Sequence, residues 1–187
     1  PEIAPGLVRT VQVIKVGEPL GSFYLIPWNG IYQQDDATTG FKAGDNKYQD
    51  TDGNNSIGLE DRLINGSATP RHQIGFNNTF NYKDFSLNVM IQGSYGYKVF
   101  NVTYGGLAIP TSDVPFPALA EVNDYWTPSN TSSQWSTPGS TTNKYFMESD
   151  QFLQSGNFTR LKNLSLSYNL PKTLIKGISG ASITLSG

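Results

Sequence analysis

The sequence predicts an all-β chain: a piece of an antiparallel transmembrane β-barrel, about six strands, with short periplasmic turns and two long extracellular loops. Three observations predict it. Long runs alternate apolar and polar side chains with a period of two. Only 15% of residues are charged, below the ~25% of an ordinary soluble domain, while aromatic residues and glycine are abundant. The connections between runs alternate short and long, as in outer-membrane barrels.

The elements follow in order. Leu7 to Val16 is a first strand candidate, and Gly17 to Leu20 a short turn. Gly21 to Gln33, rich in Phe23, Tyr24, Trp28 and Tyr32, is the second. Residues 34–71 form the first long loop. Gln73 to Tyr82 places Ile74, Phe76, Phe80 and Tyr82 on one face, with Asn78 as the exception. A tight turn at Lys83-Asp84 leads to a strand from Asp84 to Tyr95, where Phe85, Leu87, Val89 and Ile91 oppose Ser86, Asn88, Met90, Gln92 and Ser94. Residues 98–156 form the second long loop, rich in Ser, Thr, Pro and Asn between Thr127 and Asn143. Asn157 to Leu170 sets Leu164, Leu166, Tyr168 and Leu170 against Asn163, Ser165, Ser167 and Asn169. Pro171 to Gly180 is a modest turn, and a sixth strand begins near Ala181. The second faces carry Ser, Asn and Gln where a soluble sandwich would carry Lys and Glu. A polar lumen behind a lipid-facing wall fits that choice.

Other classes are excluded or disfavoured. No cysteine is present, so disulfides and thiolate metal sites are ruled out. A net charge of −2 without basic runs argues against nucleic acid as a partner. No apolar run is long enough for a membrane helix, which a barrel does not need. The chain opens Pro1-Glu2-Ile3-Ala4 and ends within a strand candidate, so a piece of a longer protein is expected.

The stretch from Asp50 to Arg62 carries side-chain oxygens at alternate positions. Counting from Asp50, the spacing of Asp50, Asp52, Asn54, Ser56 and Asp61 follows an oxygen-rich Ca²⁺ loop, with Ile57 at the usual apolar position. Asn55 stands where such loops carry glycine, although Asn tolerates left-handed backbone. Asp61 stands where a longer Glu is usual. Two readings stay open: a structural Ca²⁺ site, or an Asx-rich turn whose carboxylates bind backbone amides.

The ordered blocks Gly30-Ile31-Tyr32-Gln33, Gly44-Asp45, Tyr48 to Asn54 with Ile57 and Glu60-Asp61-Arg62, Pro70, Gly75-Phe76, Tyr82 to Leu87, Tyr125 to Asn130 and Gly156 to Pro171 cover nearly the whole chain. In that order they resemble the C-terminal third of SusC/RagA-type TonB-dependent transporters. The resemblance implies a plugged barrel of about 22 strands in the outer membrane of Bacteroidetes-type bacteria, importing glycans or peptides. It implies a SusD-like surface lipoprotein as lid, and TonB acting through an N-terminal part beyond this chain. Outer-membrane lipid would contact the wall. The other reading of the residues is a soluble all-β carbohydrate-binding module with a structural calcium.

Trp28, Tyr32, Tyr104, Tyr125, Trp126 and Trp135 are candidates to stack on sugar rings, with packing beneath the loops or an interfacial aromatic belt as the alternative. His72 is the only histidine, and no Gly-x-Ser-x-Gly elbow accompanies it, so it reads as a rim residue and the chain as no enzyme. Lys162 falls in phase with apolar Leu164, with Arg160 before it near the outer end; both read as cations snorkelling to the interface or to lipopolysaccharide phosphates, with holding a neighbouring loop carboxylate as the alternative.

Overall fold

The computed structural model describes residues 11–36, 40–108, 119–140, 142, 148–171 and 180–187. Its strands, in chain order, are β1 (Gln12–Val13), β2 (Ser22–Leu25), β3 (Trp28–Ile31), β4 (Asn46–Tyr48), β5 (Leu63–Ser67), β6 (His72–Tyr82), β7 (Phe85–Tyr95), β8 (Lys98–Phe100), β9 (Leu153–Ser155), β10 (Phe158–Leu170) and β11 (Ala181–Ser186); a short helix, α1 (Val102–Leu107), follows β8. The chain divides into two units, each made from two separate stretches.

Pro70–Tyr97 and Gly156–Gly187 form one antiparallel sheet in the order β11-β10-β7-β6. The alternation read from the sequence makes these long strands, because one apolar and one polar face suit a pleated ribbon. Between β6 and β7 the turn is Lys83-Asp84, with Lys83 at φ 52°, the positive φ that primed hairpin turns require at their first central residue. The neighbouring strand braces that turn: the Asn169 amide donates to the Asp84 carbonyl at 2.8 Å. Of the turn expected from Pro171 to Gly180, residues 172–179 lie outside the described residues.

Pro1–Thr69 and Lys98–Ser155 form the other unit. Here the expected first two strands change character. Leu7 to Thr10 lie outside the described residues, and only Gln12–Val13 pairs. The expected single strand from Gly21 to Gln33 is broken at Pro27, which lacks an amide hydrogen for a ladder, into β2 and β3. β2 lies between β1 and β5, so the strands expected to continue the wall instead form a small sheet with a segment from the first long loop. β3 pairs with β4, and β8 with β9.

Contacts distant in sequence fold the two long connections into one body. At the β2–β3 break the Ile26 amide donates to the Glu148 carbonyl, and the Asp150 amide to the Ile26 carbonyl. The Asp150 carboxylate accepts the Trp28 amide at 2.8 Å and the Asn65 side-chain amide at 2.7 Å. Lys98 in turn donates to Asn65. Elsewhere the Thr137 amide reaches the Gly44 carbonyl, and Ser140 donates to Asp45. Gly44 sits at φ 90° with Trp126 and Thr137 against it; a Cβ would meet the Thr137 hydroxyl at 2.0 Å, so only glycine fits. Two apolar clusters fill the body: Ala108, Val122, Trp135 and Phe152, and Ile26, Tyr48 and Ile57 with Trp28 and Phe41 packed on it.

Candidate functional site

The two-faced sheet and the acidic loop are the features with functional geometry. Directly opposed residues of an antiparallel pair point to the same side, so the register sorts the side chains. Phe76 faces Ile91, Phe80 faces Leu87, and Tyr82 faces Phe85 on β6 and β7. Leu161, Leu164, Leu166 and Tyr168 of β10 extend those rows, and Ile183 and Leu185 of β11 complete them. This face is apolar and uncovered: Phe76 is 49% exposed, Leu164 42%, Ile183 62% and Leu185 76%. Asn78 is the one amide in it, as expected.

The opposite face is polar and, Arg160 aside, uncharged at its paired positions, and its side chains bond each other across the strands. Asn88 donates to Asn77 Oδ1 and to Thr79 Oγ1; Asn163 donates to Asn88 Oδ1; Ser167 and Thr184 share a hydrogen bond of 2.9 Å. β6 and β7 are 11 residues each. At ~3.4 Å per residue and a tilt of ~40°, such strands rise about 26 Å, close to the ~25 Å apolar band of an outer-membrane barrel. One end of the apolar face carries the row Tyr82, Phe85 and Tyr168, with the last two rings 4.6 Å apart; the other carries Tyr95, bonded to Thr159. Aromatic side chains at both ends are where interfacial girdles sit.

β10 corrects one expectation. Leu161 pairs with Ile91 and Asn163 with Met90, leaving Lys162 as an extra residue. This bulge reverses the alternation. Lys162 is thus the unpaired bulge residue rather than a partner in phase with Leu164, and Arg160 stands opposite Gln92 on the polar face. Its signal was in the sequence: Leu161 and Leu164 are both apolar, yet unbroken alternation would put them on opposite faces.

In the acidic loop, carboxylate oxygens of Asp50, Asp52 and Asp61 lie within 4.8 Å of one another. All three also accept local hydrogen bonds. Asp50 takes the amides of Gly53 and Asn55; Asp52 takes the amide of Asn54; Asn54 takes that of Ser56. Asn55 adopts φ 61°, the left-handed conformation its glycine-like position calls for. Burial would push the Asp50 carboxyl up, but the Asn55 and Gly53 amides outweigh it and hold Asp50 below its ordinary value. Asp61 is fully buried and accepts the Thr51 amide at 2.7 Å and the Gly58 amide at 2.8 Å. Asp50, Asp52 and Asp61 are thus brought together, whereas Asn54 and Ser56 are exposed on the same loop.

For most of the candidate stacking aromatics the structure favours packing. Tyr32, Trp126 and Trp135 are buried, so no ring face is open to a ligand. Tyr32 stacks on Phe41 at 5.0 Å, and Trp126 Nε1 donates to Gln33. Trp28 is half-buried and donates to Asn46. Tyr104 packs on Trp135 and Phe152; burial, then a hydrogen bond with Glu121, raises its phenol pKa. Tyr125 is half-buried against the same cluster. His72 is exposed at the first position of β6, opposite Tyr95, which suits a rim residue.

No protein-family model matches the chain. TonB-dependent receptor P3 of Formosa agariphila is 32% identical, over 98% of this chain and 19% of the relative. TonB-dependent receptor SusC of Bacteroides thetaiotaomicron is 30% identical, over 96% of this chain and 17% of the relative. The chain thus spans under a fifth of the length of these curated relatives. Among solved structures, the RagAB peptide importer in its open-open state matches with a TM-score of 0.75 and 22% identity, over 97% of this chain and 19% of that chain. A further structure of the RagAB peptide transporter matches with a TM-score of 0.71 and 22% identity, over 88% of this chain and 18% of that chain. These two likenesses show the fold.

Proposed function

From a chain that belongs to the SusC/RagA-type TonB-dependent receptors, we propose that it builds part of the wall and outer loops of an energised importer in a bacterial outer membrane. β6, β7, β10 and β11 form the wall, with the apolar face to lipid and the polar face to the lumen. Residues 34–71 and 98–156 are extracellular. The cargo is a glycan or a peptide, a SusD-like lipoprotein closes the entrance, and TonB drives release. No catalytic step is part of this reading.

The observation that carries it is the matched pair of faces: uncovered apolar rows on one side, a hydrogen-bonded polar ladder on the other, over strands of spanning length. A soluble carbohydrate-binding module would have to leave those apolar rows in water, against the hydrophobic effect. The test is a single-cysteine scan along β7 in the intact receptor. Cysteines at Ser86 and Asn88 should react with a membrane-impermeant maleimide, while a fluorophore attached through cysteine at Leu87 or Val89 should be quenched by a lipid-borne nitroxide. Uniform reactivity at all four would sink the wall assignment.

The acidic loop has a reading of its own. We propose that Asp50, Asp52 and Asp61, with Asn54 and Ser56 nearby, hold a structural Ca²⁺; the convergence of three carboxylates supports it. Millimolar Ca²⁺ should then slow proteolysis between residues 50 and 62 several-fold, and chelation should reverse the effect. Equal cleavage with and without Ca²⁺ leaves the Asx-turn role alone.

A further inference from the structure

At the paired positions of the long strands, among the described residues, the polar face carries a single charged side chain, the bulged Lys162 having no cross-strand partner. Its other positions are Ser, Thr, Asn, Gln and Gly, with Met90 and Phe158. The exception is Arg160. It is exposed, it stands directly opposite Gln92, and no carboxylate pairs with it among the described residues.

Two features show that this position is built. The first is the bulge at Lys162. Were Lys162 paired in an unbroken ladder, Arg160 would fall opposite Gly93 and share the apolar face with Leu164; because Lys162 is bulged out, Arg160 falls opposite Gln92 on the polar side. Bulges are devices that re-aim a side chain, and this one moves a charge off a face of Leu and Phe. The second is Phe158, two residues earlier on the same face. The Arg160 guanidinium lies over its ring at 4.2 Å from the centroid. Stacking uses the flat of the guanidinium and leaves its edge donors free, and it restricts an otherwise flexible side chain. An oriented donor fork with no anion of its own is suited to a carboxylate.

The geometry points to Arg160 as an anion-recognition residue on the inner wall, at the end of the sheet where β7 finishes and β10 begins. It takes a carboxylate carried by the transported solute and biases the channel toward acidic cargo. The inference rests on the reading that the polar face lines the lumen. It goes beyond that reading in naming the charge the lumen selects.

The test measures local potential rather than transport, so no cargo need be known. Gln92→Cys is made in the intact receptor in outer-membrane vesicles, and its modification by an anionic and by a cationic methanethiosulfonate is timed at low salt. With Arg160 present, the anionic-to-cationic rate ratio should be about ten-fold higher than in an Arg160→Gln background, as one unit charge within ~6 Å requires. Arg160→Lys should restore most of the difference. A ratio unmoved by Arg160→Gln overturns the proposal, because a carboxylate of the receptor itself already neutralises the charge. Inertness at Gln92→Cys while Asn88→Cys reacts also overturns it, since that position would not meet water. If both cysteines are inert, the lumen reading itself fails.

Discussion

Val89→Arg is expected to destabilise the folded receptor strongly in its membrane. Val89 sits midway along β7, flanked on the apolar face by Asn78 of β6 and Leu164 of β10. At mid-depth on a lipid-facing wall, an arginine costs about 2–4 kcal/mol, a large share of a typical folding free energy of ~5–15 kcal/mol. Met90→Arg is the matched control. Met90 is the next residue along, at the same depth, but it pairs with Asn77 and Asn163 on the polar face. There the guanidinium stays in water and the cost should remain under ~1 kcal/mol. Urea unfolding of both variants in lipid vesicles gives the comparison. Equal destabilisation would mean that the two faces meet the same solvent, and the wall assignment would fall.

Asp61→Ala should loosen the acidic loop whether or not calcium binds there. The side chain is fully buried, and its two oxygens each satisfy one amide, from Thr51 and from Gly58. Alanine cannot accept either bond and leaves two part-buried donors without it. At ~1–3 kcal/mol for each unsatisfied group the range is about 2–6 kcal/mol, with the lower end expected because both donors are only part-buried. Asp61→Asn should recover part of it, because one amide oxygen still accepts. Hydrogen exchange at Thr51 and Gly58 reports the change directly. Protection unaltered in the alanine variant would show that water replaces the carboxylate without cost.

The four long strands were legible in the sequence because alternation is local and each strand repeats it many times. The bulge at Lys162 escaped that reading; a single extra residue reverses the phase, and Arg160 changed faces with it. The segment from Gly21 to Gln33 reads as one strand from its aromatic content, yet Pro27 ends the ladder and the flanking Ile26 bonds to residues 148 and 150. Strands β4 and β5 are 3 and 5 residues long, too short to show a period, and their partners lie elsewhere in the chain. The acidic loop was half legible. Its Asx pattern and the left-handed Asn55 followed from residue type, whereas the burial of Asp61 depends on how the loop closes. For the buried aromatics, composition could not separate stacking on a ligand from packing; Tyr32, Trp126 and Trp135 pack.

The Asp150 junction also has a consequence in time. Its bond to the Trp28 amide spans 122 positions of sequence, and Trp126 reaches Gln33 across 93. Contacts of such separation slow folding, since a long stretch of chain must be ordered before they form. The first part of the chain, including β2 and β3, therefore emerges without its partners. It must wait, with Ile26 and Leu25 still exposed, until the segment around Asp150 arrives. The order of events is dictated: the β6–β7 hairpin can close early on local contacts, and the body made by the two long connections closes late. A holding chaperone acting on this chain would find its longest-lived target in residues 22–31.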